Sequence, residues 1–193
     1  MPKTVEANVP NPMTKHSFIA DESVTTFEFG RRGEKPPVTL KWYEGGEKPK
    51  IRPEWGIDEL KNGGMLMIGD KNTLLTGGRP DNPVLLMEEE KWKDFLINAP
   101  EKTIPRVGNN KPVDEWIDAI KGGYGSKEYK MLTAPIEYSG PFTEIVLMGN
   151  LALRSYMLKD GKDFIGRKKL LWDGKNKKIT NIQNNKKLNL AIN

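Results

Sequence analysis

The chain has 193 residues, 36% of them hydrophobic and 30% charged, with a net charge of +5. It contains no cysteine and a single histidine, His16, which excludes disulfides, zinc–thiolate sites, iron–sulfur clusters and thiol nucleophiles and leaves little from which to build a triad or a transition-metal centre. No apolar run approaches the roughly 18 residues that span a bilayer, and the N-terminal MPKTVEANVPNPMTKH lacks the basic-then-apolar order of a signal peptide.

Short alternating runs dominate the first half. TVEANV predicts a strand with Val5, Ala7 and Val9 on one face. SVTTFEF sets Thr25, Phe27 and Phe29 against Val24, Thr26 and Glu28. PVTLKWYE puts Val38, Leu40 and Trp42 on one side and Thr39, Lys41 and Tyr43 on the other. The tripeptide Glu-Lys-Pro borders this last run twice, at 34–36 and 47–49, beside Pro36-Pro37 and Gly45-Gly46. Proline lacks a backbone donor and glycine allows positive φ, so both copies predict turns.

MLMIGDKNTLLTGG predicts a hairpin about Gly69-Asp70-Lys71-Asn72, and NPVLLM a further strand. EEEKWKDFLINAP places Trp92, Phe95 and Leu96 at helical spacing, and 100–112 predicts a long surface loop. PVDEWIDAIKGG predicts a helix opened by proline and stopped at Gly122-Gly123, with Trp116, Ile117 and Ile120 on its buried side. GPFTEIVLMGNLALRSYML predicts a second helix, apolar around most of its circumference and therefore packed on more than one side. Phe142, Ile145, Val146, Ala152, Leu153 and Tyr156 form its main stripe, broadened by Leu147, Met148 and Leu151. Gly149 and Ala152 invite close approach of a neighbour. KKLLWDGKNKKITN predicts a closing hairpin about Asp173-Gly174. Strands, then helices, then strands imply an α+β fold: an open, mainly antiparallel sheet with helices packed on one face.

Few motifs carry chemistry. No G-x-G-x-x-G opens a helix after a strand, and GGYGSK (122–127) follows a helix without phosphate-loop spacing. Nothing places two carboxylates across a cleft. His16 stands alone among Asn11, Pro12, Thr14 and Lys15. The late lysines straddle predicted turns without an aromatic-interleaved stripe, so neither nucleic acid nor membrane is expected as a partner. Among the aromatic residues, Trp55, Tyr124 and Tyr138 fall in predicted loops, where an exposed ring stacks on a sugar; the others sit at strand or helix spacing and are expected in the core.

Taken as an ordered set, SVTTFEF, PPVTLKWYEGG, GMLMIGDKNTLLTGG, EWIDAIKGG, GPFTEIVLMGNLALR and LLWDGKNKKITN resemble the C-terminal domain of the Gfo/Idh/MocA oxidoreductases, in the bacterial sugar-acting branch. The likeness runs from about Pro2 to about Ile182 and treats residues 1–193 as one domain. In that family an N-terminal Rossmann domain binds NAD(P) and supplies the Glu-Lys-Pro lysine. The C-terminal domain closes over a sugar, and its sheet often mediates oligomer contacts.

The resemblance therefore implies a substrate-binding and oligomerisation domain of an NAD(P)-dependent sugar oxidoreductase or glycosidase, catalytically incomplete by itself. It implies no catalytic or cofactor-binding residue in this chain, since its Glu-Lys-Pro copies do not match the family's catalytic position. Lys111-Pro112-Val113 stands where many relatives carry histidines, and Trp55, Lys111, Tyr124 and Tyr138 are the candidate substrate contacts. Partners implied are the Rossmann domain, a sugar or sugar derivative, and further copies of the chain, with a periplasmic origin for exported relatives. The alternative is a stand-alone carbohydrate-binding or protein-interaction module without catalysis.

Overall fold

Ten strands and four α-helices follow one another along the described residues of a computed structural model, which are 1–10, 20–78, 82–101, 103 and 112–182. The first half holds β1 (Thr4–Asn8), β2 (Ser23–Phe29), β3 (Val38–Glu44), β4 (Met65–Ile68), β5 (Thr73–Thr76) and β6 (Val84–Leu86). Helices α1 (Glu89–Ile97), α2 (Pro112–Gly122), α3 (Lys127–Lys130) and α4 (Ile136–Tyr156) come next. β7 (Lys159–Asp160), β8 (Asp163–Phe164), β9 (Leu170–Asp173) and β10 (Lys178–Ile179) close the chain. The fold is α+β. The chain forms two compact units, Met1–Glu47 with Val107–Asn193, and Lys48–Arg106.

In the first unit, five antiparallel strands take the order β10-β9-β1-β2-β3. The alternation foreseen in β1 and β2 is observed: Val5, Ala7, Ser23, Thr25 and Phe27 are buried. Helix α4 crosses this face, and Met148 and Ala152 join Val5, Ala7, Phe27, Leu170, Ile179 and Ile182 in one core. Fully burying a Leu or Met side chain contributes about 1.5–3 kcal/mol, so this small cluster dominates the unit's stability.

The neighbour that Gly149 and Ala152 admit is the sheet. A Cβ on Gly149 would meet Phe27 Cζ at 3.3 Å, and Ala152 is 0% exposed. Farther along, Ser155 Oγ turns inward to donate to the Ala152 carbonyl at 2.9 Å. Gly166 then lies so near that a Cβ there would overlap the Ser155 carbonyl.

Three expectations need correction. Helix α4 packs on the sheet through one side only, so Phe142, Val146 and Leu147 remain exposed. The anticipated buried side of α2 is also open; Trp116 and Ile120 are each 60% exposed, and Ala119 is the buried residue of that helix. β3 forms as expected, but Val38, Leu40 and Trp42 are all exposed because β3 is the edge strand and α4 does not reach it.

Both Glu-Lys-Pro copies stand at the ends of β3. The first completes a tight turn closed by reciprocal Arg32–Lys35 backbone bonds, with Gly33 at φ +60°. The second follows Gly45 and Gly46; a Cβ on Gly45 would collide with the Asp21 carbonyl. In the second unit Lys48 Nζ donates to the Leu60 carbonyl at 2.6 Å. That unit also holds the β4–β5 hairpin with β6 beside it, and α1, whose Trp92 and Phe95 rings stack at 5.4 Å. Most of the expected 100–112 loop lies outside the described residues, as does His16.

Replacing Gly166 by Ala should cost about 1–3 kcal/mol, the usual range for overpacking, read as a lower denaturant midpoint at unchanged m value. Gly140→Ala is the contrast. A Cβ there meets Ile136 Cδ1 at an ordinary 3.9 Å, and helix propensity favours Ala over Gly by about 1 kcal/mol, so that midpoint should rise.

Candidate functional site

The sharpest constellation lies where α2, α3 and the start of α4 come together. Gly123 and Gly125, at φ +82° and +80°, turn the chain out of α2 and carry Tyr124 between them. Ser126 then caps the single turn of α3, its Oγ accepting from the Tyr129 amide at 3.1 Å. Glu137 stands in the first turn of α4. Tyr124 Oη donates to Glu137 Oε1 at 3.2 Å, and Tyr129 Oη lies 2.8 Å from both carboxylate oxygens. The two tyrosine rings meet at 4.8 Å between centres. Together with Trp116, Ala119, Ile120, Gly123 and Leu132 they line a shallow pocket of about 200 Å³.

Electrostatics here is local. The Tyr129 hydroxyl, then Glu137's own backbone amide and the Tyr124 hydroxyl, hold the Glu137 carboxyl below its ordinary 4.5, while the carboxylate pushes Tyr129 up to about 12. A carboxylate offers about four lone-pair sites; the two tyrosine hydroxyl protons and the residue's own backbone amide engage three, which leaves room for one further hydroxyl. A ring pair beside a fixed acceptor suits a polyhydroxylated ligand, with rings against C–H faces and Glu137 taking an O–H. It does not suit proton transfer near neutral pH, because both partners are displaced away from neutrality.

A second, larger hollow of about 630 Å³ runs between α4 and the β9–β10 hairpin, along Gly140, Glu144, Leu147, Leu151 and Arg154 on the helix, with Trp172 and Lys177 opposite. Glu144 ties the two elements together, accepting from Trp172 Nε1 at 3.2 Å and from Lys177 Nζ. Partial burial works to raise the Glu144 pKa; Lys177 and Trp172 outweigh it and hold the carboxyl below the usual range. These polar groups satisfy one another, so the hollow presents chiefly apolar floor.

The four residues singled out in the sequence fare differently. Tyr124 is 84% exposed and belongs to the constellation. Tyr138 is also exposed but lies on α4, not in a loop, because the helix begins at Ile136 and runs through Pro141; its ring stacks parallel to Phe142 at 6.3 Å. Trp55 is corrected: it closes a 3₁₀ turn in the other unit, is 3% exposed, and offers no free face to a sugar. Lys111 lies outside the described residues. Trp116, Tyr129 and Glu137 were missed. Trp116 sits on a helical apolar stripe that normally signals core, and the separation of Tyr129 from Glu137 carries no motif.

Among the described residues no group of three His, Cys, Asp or Glu side chains could hold a metal ion, and no helix is long and apolar enough to cross a membrane. No protein-family model, curated protein or solved structure matches this chain.

Glu137's lowered pKa means its contribution is present above about 4.5 and fades as pH falls through the folded value; Tyr129's raised pKa means its contribution is complete below about 10 and fades as pH rises through about 12. The cluster should therefore hold from about pH 5 to 10. In an ultraviolet titration, one of the five tyrosines should ionise near 12, and Glu137→Gln should bring it back toward 10.

Proposed function

We propose that this chain is a sugar-facing binding and assembly domain, without catalytic residues of its own, of the kind that closes over the substrate in NAD(P)-dependent sugar oxidoreductases and glycosidases. The observation that carries the proposal is the pocket lined by Trp116, Tyr124 and Tyr129, whose two tyrosine hydroxyls are held by Glu137 beside it, set in an exposed apolar surface. Stacking rings supply affinity for the apolar faces of a pyranose, and a charged acceptor strengthens a hydroxyl contact. Val113, Trp116, Ile120, Ile136, Tyr138 and Phe142 remain exposed around it. An apolar area of this kind marks a surface that meets another body, and a nucleotide-binding domain is the body that the resemblance implies.

The ordered motifs quoted above support the oxidoreductase lineage; the pocket supports the sugar. A carbohydrate-binding module acting alone is the second reading, favoured by the fact that Trp116, Tyr124, Tyr129 and Glu137 all come from one compact unit. On both readings the chain contributes recognition; on the first, the hydride chemistry belongs to a cofactor held by the Rossmann domain.

Calorimetric titration with NAD(H) should give no heat, while a panel of hexoses and amino sugars should include ligands with Kd on the order of ~1 mM, about −4 kcal/mol. Tyr124→Ala should weaken the best sugar about tenfold or more. Tight NAD(H) binding, or sugar affinity indifferent to Tyr124, would overturn the assignment.

A further inference from the structure

We propose that the pocket between α2 and α3 is an aromatic cage for a quaternary ammonium group, with Trp116, Tyr124 and Tyr129 as its walls and Glu137 as the anion behind them. The inference goes beyond the sugar reading and does not rest on it, because it concerns the charge of the ligand and not its hydroxyls.

The rings come from two helices and the turn that joins them. Trp116 stands on α2, Tyr129 on α3 and Tyr124 on the turn between, and all three line one pocket. The tyrosine rings are 4.8 Å apart and tilted by 54°, so their faces form a corner and not a stack. A cation over an aromatic face is attracted by the ring's quadrupole, most strongly over Trp. Ala119, Ile120 and Leu132 complete the apolar lining; their side chains contact methyl groups and make no hydrogen bonds. At about 200 Å³ the pocket falls below the roughly 300–1,000 Å³ that encloses a drug-sized ligand, so it takes a head group.

The polar groups favour a charge that needs no hydrogen bond. Both tyrosine protons are already given to Glu137, at 3.2 Å from Tyr124 and 2.8 Å from Tyr129. A quaternary ammonium has neither an N–H to donate nor a lone pair to accept with, so it leaves those bonds intact. A phenol that donates to a carboxylate is polarised by it, and its ring face becomes more negative. Glu137 keeps that charge at neutral pH, its carboxyl being held below the ordinary 4.5. The wider field has the same sign: residues 112–138 hold five acids and three lysines, a net charge of −2 in a chain of net +5. A ligand with its own carboxylate would be repelled. The class that fits is therefore of the choline type, cationic and without an acid.

The test compares charge at constant shape. In calorimetric titration of the whole chain, with ionic strength matched by sodium chloride, choline should bind roughly tenfold tighter than dimethylbutanol, its uncharged isostere with carbon in place of nitrogen. Trp116→Leu keeps an apolar side chain but removes the π face, and should bring the two ligands to within about twofold of each other. Glu137→Gln should narrow the same gap. Circular dichroism of both variants should match the parent, since Trp116 is 60% exposed and Glu137→Gln preserves shape. Vesicles of phosphatidylcholine separate the two sources of this group. Pelleting of the chain with them, reversed by free choline, assigns the cage to a lipid head group; a chain that binds choline but stays in the supernatant assigns it to a small solute. Absence of binding to both choline and the vesicles overturns the proposal. So does equal affinity for choline and dimethylbutanol, or a choline preference that survives Trp116→Leu and Glu137→Gln. No sugar enters the experiment, so either reading can fall alone.

Discussion

The contact on which the first unit depends is the close seating of α4 on β1. It is made possible by small side chains at Gly149, Ala152 and Ser155, with Gly166 pressed against the helix end. Because the backbone of α4 can come down on Phe27 and Val5, one helix covers the middle of a five-stranded sheet. That same closeness limits what it covers. A helix about 10 Å wide lying over β1 leaves β3 outside its shadow, and its own first half projects past the core with Phe142, Val146 and Leu147 uncovered. The exposed strand and the exposed helical surface are two consequences of one placement.

The displaced titrations at the surface all belong to groups fixed by hydrogen-bonded partners. Glu28, Glu137, Glu144 and Asp173 are all held below the ordinary carboxyl range by hydrogen-bond donors, and Tyr129 and Lys169 are raised. Each displacement strengthens the charge state or donor already present at neutral pH. Sites that move protons show the opposite, with groups drawn toward the working pH. Glu144 illustrates the structural use of such a charge: it fastens the β9–β10 hairpin to α4 through Trp172 and Lys177.

Much of the fold was legible because period-two patterning and turn chemistry agree locally. Val5, Ala7 and Val9 alternate and are buried; Asp173-Gly174 marks a turn, and Asp173 Oδ1 accepts from the Lys175 and Asn176 amides there. What misled was the step from an apolar face to a buried one. Trp116 and Ile120 have helical spacing, and Trp42 strand spacing, but periodicity reports only that a face is apolar and not that something in the same chain covers it. The site was half legible for a related reason. Tyr124, between glycines, announces an exposed ring, whereas Glu137 gains its role from Tyr129, and that pairing exists only once α3 and α4 are set. Trp55 shows the reverse error: a ring in an irregular segment turned inward.

The strand order has a consequence for synthesis. Within the five-stranded sheet β1 precedes its partners in sequence and is the central strand, and its second neighbour, β9, pairs Leu170 with Val5. On a ribosome the β1–β2–β3 sheet can form early, but one edge of β1, with Val5 beside it, stays unpaired until β9 has emerged. The unit spanning Lys48–Arg106 has local pairings throughout and can close in the interval. Non-local closure of this kind is slow and leaves sticky intermediates. The nascent chain is therefore most vulnerable to aggregation, and most in need of a chaperone, between the completion of β3 and the arrival of β9.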